Sequence, residues 1–333
     1  MNQLIKIFVG QFLRLSIGYS ECAILMFHRV LNGDTDRTID DAIWIKKEEF
    51  EKTILFLKNH FEFISLNELI EGRKKEKRTC IITFDDGWLD TYQIAFPVLL
   101  LHNVPATVFI PTGMVGTNKI FWFERVSRVI NQLSENDDGI SNVKKHMGKI
   151  VDTKIIEKSN SRQELYHSFV QELKKFSPYI IEEIVDTFEQ KFVAADNDRQ
   201  ETRVLMNWDE IKGMSDSSIS FGSHCVNHSI LINLTYKEKL FEIVASRKTL
   251  IERKINFVDC ISFPNGIYDQ EVLDISRKAG YKLLLTASIN KCGEGESPLL
   301  AHRIGINNSV SSDTGLLAYS IIKAKLKGKL YNI

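Results

Sequence analysis

Short apolar runs recur along this chain, and between them lie stretches whose apolar residues are spaced three or four apart. The runs are Ala23–His28, Phe61–Ser65, Cys80–Phe84, Ala106–Ile110, Ser218–Gly222, Phe257–Phe263, Lys282–Ala287 and Leu299–Ile306. Helical spacing covers Lys47–Asn59, Trp88–His102, Lys237–Lys254 and Asp269–Ala279. Strand and helix in alternation predict β/α units around a mostly parallel sheet. About seven or eight such strands point to a closed barrel rather than an open sheet.

Residues from about 116 to about 203 break this rhythm, being charged and helix-prone with few strand-like runs. Asn136-Asp137-Asp138-Gly139 and Asn160-Ser161 read as loop breaks within them. The expected organisation is one domain over residues 1–333, with 116–203 as a helical insertion that shapes access to a site rather than supplying its chemistry. A chain of 333 residues with 44% hydrophobic content can bury a sizeable core. Lysine plus arginine (43) equals aspartate plus glutamate (43), so no global field recruits nucleic acid. The five cysteines, Cys22, Cys80, Cys225, Cys260 and Cys292, are scattered and form no C-x-x-C pair, which fits a reducing compartment.

Both termini carry amphipathic patterns. Ile5, Phe8, Phe12 and Leu15 have helical spacing, and Leu317–Leu330 sets four lysines among Ile321, Ile322, Leu326 and Leu330. Packing on the domain is expected of them, with peripheral membrane contact as the alternative. No small-residue cleavage site follows the first segment and no apolar run nears the roughly 20 residues of a membrane span. A cytoplasmic protein is expected, with the inner face of the membrane as its second possible address.

Two short segments carry the chemistry. Asp85-Asp86-Gly87 follows the run Thr79–Phe84, and in β/α folds the C-terminal strand ends face the active site. Adjacent carboxylates there repel and lose solvation unless a cation or a proton offsets them. A bound metal resolves the conflict, one carboxylate ligating and the other remaining a base. Alone, the triplet also fits a cap on the helix beginning near Trp88. The second segment is Ser223-His224-Cys225-Val226-Asn227-His228, again just after a strand. Histidines at i and i+4 on one face of a helical turn suit a divalent metal, although an isolated pair is weak evidence. No glutamate follows His224, so the H-E-x-x-H protease pattern is excluded. Asp86, His224 and His228 together make three protein ligands with positions left open, a set that fits catalytic zinc.

Thr83-Phe84-Asp85-Asp86-Gly87 and Ser223–His228 resemble, in order, the first two motifs of the polysaccharide deacetylase family (NodB homology domain, carbohydrate esterase family 4). Met26-Phe27-His28-Arg29-Val30, Pro105–Phe109 and Phe263-Pro264-Asn265-Gly266-Ile267-Tyr268-Asp269 agree with it, so the resemblance covers roughly residues 20–110 and 205–305. It implies a distorted (β/α) barrel of about seven strands and removal of acetyl groups from N-acetylated sugars. By the same resemblance Asp85 is the general base, Asp86, His224 and His228 hold the metal, and the backbone N–H of Asn265 helps to stabilise the oxyanion. The expected substrate is an N-acetylated saccharide, free or linked to a nucleotide or lipid carrier, and the expected ion is zinc.

The chain departs from the family pattern at the arginine that orients the base, which is Ser262 here. Arg303, on the late strand, is a candidate to reach the same space, and a structural salt bridge is the alternative. Cys225 replaces a threonine that is not a ligand. The acid for the leaving amine is His28, which ends an apolar strand as in members resembling a circular permutation, or else His302 of Leu300-Ala301-His302. Phe121-Trp122-Phe123 reads as core, with sugar stacking as the alternative. Trp208 reads as helix packing, with a wall of the acetyl pocket as the alternative. Two rival functions stay open: hydrolysis of another non-peptide C–N bond on the same barrel, and saccharide binding without catalysis, which the missing motif arginine favours. A metal-dependent glycosyltransferase is weaker, because Asp85-Asp86 is not a spaced D-x-D.

Overall fold

The structure is a computed structural model, which describes residues 21–33, 40, 42–72, 78–132, 137–148, 159, 161–192, 203–286, 300–307 and 331–332. Both terminal amphipathic segments lie outside the described residues. In chain order the strands are β1 (Glu21–Phe27), β2 (Arg29–Leu31), β3 (Trp44–Lys46), β4 (Glu62–Phe63), β5 (Thr79–Phe84), β6 (Ala106–Ile110), β7 (Ile219–Ser223), β8 (Phe257–Ser262), β9 (Leu283–Thr286), β10 (Leu300–His302), β11 (Ile304–Gly305) and β12 (Tyr331–Asn332).

The main sheet runs β10-β9-β8-β7-β6-β5-β1-β11, every neighbour in that order pairing in parallel. Its two edges, β10 and β11, are separated in sequence by Arg303 alone. The strand read as continuous over Leu299–Ile306 is therefore bent at Arg303, its first half pairing with β9 and its second with β1. That bend brings the sheet nearly closed into a barrel of about seven strands, with helices packed outside, as the alternation of runs predicts. β2 and β3, three residues each, form a small separate parallel sheet. Neither is long enough to show a period in the sequence.

Period-2 alternation then decides which residues meet inside. Ile24, Ile81, Phe109, Cys260, Leu285 and Ala301, one from each of six barrel strands, pack in a single buried cluster. The seventh strand contributes Gly222, where a Cβ would stand 2.3 Å from Cε1 of Phe109, so glycine makes room for that ring. Further along three of these strands the same interior side is occupied by Thr83 and then Asp85 after Ile81, by Ser262 after Cys260 and by Arg303 after Ala301. His28 continues the register of Ile24 and Met26 just past β1. The inner face is thus apolar below and polar at its C-terminal rim, and that gradient fixes the position of the site.

Helices close the outer face. Phe50, Ile54 and Leu57 of the helix Lys47–Lys58 are buried on one side, with Glu48 and Glu49 in its first turn and Lys58 in its last, as the helix dipole favours. Thr91–Ala95, inside the predicted helix Trp88–His102, is a π turn leading into the α-helix Phe96–His102.

Between β6 and β7 stand the helices Trp122–Gln132, Asp137–Met147, Arg162–Leu173 and Pro178–Phe192, packed around their own apolar core that includes Val126, Val129, Leu165, Phe169, Val185 and Phe188. The loop break expected at 136–139 is corrected at Asp137, where a helix begins. Aspartates suit a helix's first turn as well as a loop. Ser161 caps the following helix by accepting from the Glu164 N–H at 3.2 Å.

Candidate metal and catalytic site

β5 ends directly in Asp85 and Asp86. Asp85 stays in strand register, its N–H bonded to the Phe27 carbonyl at 3.0 Å. Asp86 turns left-handed (φ 73°) and Gly87 follows it (φ 70°), so two neighbouring carboxylates diverge. On β7 the chain does the same after Ser223, with Cys225 at φ 66° and His228 at φ 58°. The histidine pair therefore sits on a tight turn with left-handed residues, not on the helical turn expected from the i, i+4 spacing. Four of the six non-glycine residues with positive φ among the described residues belong to these turns and to Asn265. Such backbone costs on the order of 1–3 kcal/mol per residue and persists only where surrounding contacts enforce it.

Glu242 supplies that enforcement on the second turn. From inside the helix Tyr236–Glu252 its buried carboxylate accepts the N–H groups of Val226 (2.8 Å) and Asn227 (2.9 Å) and the Asn227 side-chain amide (2.7 Å). Sequence reasoning missed this residue, because a glutamate within an amphipathic helix carries no signal that it faces inward.

The turns bring three buried groups to one point. His224 Nε2 lies 3.3 Å and His228 Nε2 3.2 Å from Asp86 Oδ1, and the three donor atoms lie within 4.8 Å of one another. Asp86 Oδ1 is buried with no hydrogen-bond partner. Bonds of about 2.0–2.1 Å to a tetrahedral ion leave about 3.3 Å between its ligands. The donor chemistry, the spacing and the orphaned oxygen all fit a divalent metal. Outer contacts aim each ligand. His224 Nδ1–H donates to the Ser262 carbonyl at 2.7 Å, leaving the Nε2 lone pair toward the group. Trp88 Nε1–H donates to Asp86 Oδ2 at 2.9 Å. Phe121 packs edge-on to the His228 ring at 4.9 Å and to Trp88 at 5.0 Å, which makes it a wall of the metal group, while Trp122 packs in the insertion core as the core reading expects. Trp88 is a second residue the sequence did not single out.

Asp85 has a different environment. Arg303 Nη1 donates to its Oδ1 and Nη2 to its Oδ2, both at 2.6 Å, and Ser262 Oγ donates to Oδ2 at 3.1 Å. Arg303 also reaches Ser262 Oγ at 2.7 Å and lies over the Phe109 ring at 5.4 Å. The arginine absent from position 262 is thus supplied across the barrel by the bent strand, and the small serine leaves it space. Burial pushes the Asp85 carboxyl up, but Arg303 and then His224 outweigh it and hold the group below the usual carboxylate range. Asp86 is held well below that range despite burial, by its contacts with His224 and His228. Burial would depress His224, yet Asp85 and Asp86 raise it, whereas burial prevails at His228 and lowers it.

His28 is half-buried at the end of β1, close enough that its charge bears on both Asp85 and Asp86. His302 shares the outward register of Leu300, which packs in the outer cluster with Leu284, while Ala301 and Arg303 face inward. Asn265 (φ 58°) forms the turn three residues beyond Ser262, on the same rim. Trp208 packs on the main core beneath the Arg253 guanidinium at 4.2 Å, and among the described residues Trp88 is the tryptophan bonded to the metal group.

Residues 72–284 match the sequence model of the polysaccharide deacetylase family. The chain belongs to that family. Its sequence is 22% identical over 293 residues to YxkH of Bacillus subtilis, named after the same family, covering 86% of this chain and 72% of that one. A stretch of 88 residues is 35% identical to a poly-beta-1,6-N-acetyl-D-glucosamine N-deacetylase of Staphylococcus aureus, covering 25% of this chain and 30% of the relative. Among solved structures, the Streptococcus pyogenes deacetylase PplD in complex with acetate superposes with a TM-score of 0.57 at 17% identity, over 94% of this chain and 99% of that one. IcaB from Ammonifex degensii gives 0.54 at 17% identity, over 91% and 97%. At that identity the structures establish a shared polysaccharide deacetylase fold.

Proposed function

We propose that this family member is a metal-dependent hydrolase that removes N-acetyl groups from a sugar in a poly- or oligosaccharide or its activated precursor. The observation that carries this reading is the convergence of Asp86, His224 and His228 beside an Asp85 that Arg303 keeps ionised. Asp86, His224 and His228 would hold a divalent cation, zinc in the first instance, which when bound would supply Lewis-acid activation of water and of the acetamide carbonyl. Asp85 takes the proton of the attacking water. Arg303 holds both of its carboxylate oxygens and Ser262 Oγ donates to Oδ2, which lies 3.9 Å from His224 Nε2, so the base is fixed beside the metal group. His28 gives a proton to the departing nitrogen as the amide C–N bond breaks, and acetate and a free amine result. Asn265, on the turn just beyond Ser262, is assigned as the backbone N–H donor to the developing oxyanion.

A groove of 1210 Å³ lies beside the metal group, which it meets through His228, and runs between the insertion helices and the turn at 227–230. Tyr179 and Trp122 stand in its walls with Arg128 and Glu182, a mixture of ring faces and hydrogen-bonding groups that suits a sugar chain. We read it as the path of the saccharide rather than as the reaction centre. The alternative of a binding protein without catalysis drew on the loss of the motif arginine, and Arg303 removes that support.

Acetate release should be measured on N-acetylglucosamine oligomers and on the β-1,6-linked polymer for which the staphylococcal relative is named. His28→Ala is expected to lower kcat by about 10²–10⁴-fold, and His302→Ala to stay near wild type. Full activity in the first variant and loss in the second would reassign the acid. Turnover of imides or ureides without acetate release from sugars would favour the other C–N hydrolase reading.

A further inference from the structure

Arg29 follows His28 directly and takes no part in the chemistry described above. Its Nε donates to Asp90 Oδ2 at 2.8 Å, while the N–H of Val30 donates to the other oxygen, Oδ1, at 3.0 Å. One buried carboxylate therefore clamps two consecutive residues at the exit of β1. The Arg29 guanidinium lies 4.5 Å over the Trp88 ring, and its Nη1 stands 3.9 Å from Glu124 Oε2 on the first insertion helix. Trp88 in turn bonds Asp86 Oδ2 and meets Phe121, which abuts His228. From Asp90 to two of the three metal ligands, Asp86 and His228, each link is a named contact between nearly buried groups.

We infer that Arg29, clamped by Asp90, is a positioning residue for the metal centre, acting through the Trp88 indole to hold Asp86 Oδ2 and so present Oδ1 to the ion. This rests on the metal reading of the site. An indole N–H holds a carboxylate oxygen only if its ring is fixed, and here Phe121 meets the ring edge-on while Arg29 covers its face. Hydrogen bonds one step behind a metal ligand carry about 10–100-fold in metal affinity. The task also selects arginine over lysine. The planar guanidinium stacks on the ring while its Nε points sideways to Asp90, and an ammonium has no plane with which to do both. Glu124 ties the same guanidinium to the insertion, so the helical segment that walls the groove is anchored to the metal-bearing turn.

The test is a cobalt titration of the full chain against a competing chelator, with the cobalt absorption spectrum recorded for wild type, Trp88→Phe, Arg29→Met, Arg29→Lys and the Arg29→Met/Trp88→Phe pair. Trp88→Phe is expected to weaken cobalt binding by about 10–100-fold and to shift the spectrum. Arg29→Met is expected to weaken it by about tenfold or more in the wild-type background and to add little once Trp88 is phenylalanine. Arg29→Lys keeps the charge, so it folds if Arg29→Met does not, and is expected to keep the weakened affinity. A residue that merely supported the fold would lower thermal stability and leave spectrum and affinity alone. Wild-type affinity in both Arg29 variants, or effects that add in full to that of Trp88→Phe, would overturn the inference. Failure of the wild-type protein to take up cobalt would sink the metal reading, and this inference with it.

Discussion

Asp85→Asn is expected to lower kcat/KM for an N-acetylated saccharide by about 10²–10⁴-fold while a stoichiometric metal stays bound. The amide has the shape of the carboxylate but cannot take a proton from water. The three ligands, Asp86, His224 and His228, are untouched. The substitution also leaves Arg303 buried opposite a neutral group, and breaking a buried pair from one side costs about 3–5 kcal/mol. Turnover must therefore be read on protein shown to be folded, with metal content measured on the same sample. Wild-type turnover in folded Asp85→Asn would remove Asp85 from the base role, and loss of metal would place it among the ligands instead.

The second large effect is expected from Arg303→Met. Without its guanidinium, burial is the leading influence on Asp85 and pushes its carboxyl up from the depressed position it holds in wild type. The base is then protonated over more of the pH range, so the acid limb of kcat/KM moves to higher pH and activity returns as the medium becomes more alkaline. Stability follows with a definite sign. In wild type the folded value lies below the unfolded one, so the pair's contribution is present above the unfolded carboxylate value and is lost as pH falls through the folded value. In the variant the carboxyl moves up from that depressed position, so less of this contribution is present near neutrality and less is lost on acidification. The stability gap between the two proteins, about 3–5 kcal/mol near neutrality, should narrow on acidification. Parallel pH–rate profiles and a constant gap in denaturant midpoints would show that Arg303 does not tune Asp85.

How far the sequence discloses this site depends on the kind of contact involved. Parallel strands covered by helices leave apolar runs that stand out, so most of the barrel was legible to within a residue or two. Adjacent Asp85 and Asp86 were conspicuous because such a pair is costly without a cation. Arg303 was visible as a candidate, but its contact with Asp85 depends on the bend that lets β10 and β11 pair on opposite edges, and no local pattern encodes that. The left-handed turns at Cys225 and His228 were misread as helical because the i, i+4 spacing is shared by both geometries. Trp88, Glu242 and the Arg29–Asp90 clamp act on ligands through contacts made only after folding. Their residue types, an indole near a helix start and a glutamate within a helix, are ordinary in sequence.

Acetate released from an N-acetylglucosamine oligomer by chelator-stripped protein, as zinc is returned in steps, decides whether a metal at Asp86, His224 and His228 drives the hydrolysis. Negligible release by the stripped protein, a rise that levels off at one equivalent of zinc, and no recovery in His224→Ala at that zinc level are expected. Equal release with and without metal, or no release at any zinc concentration from folded protein, would contradict a metal-driven hydrolysis.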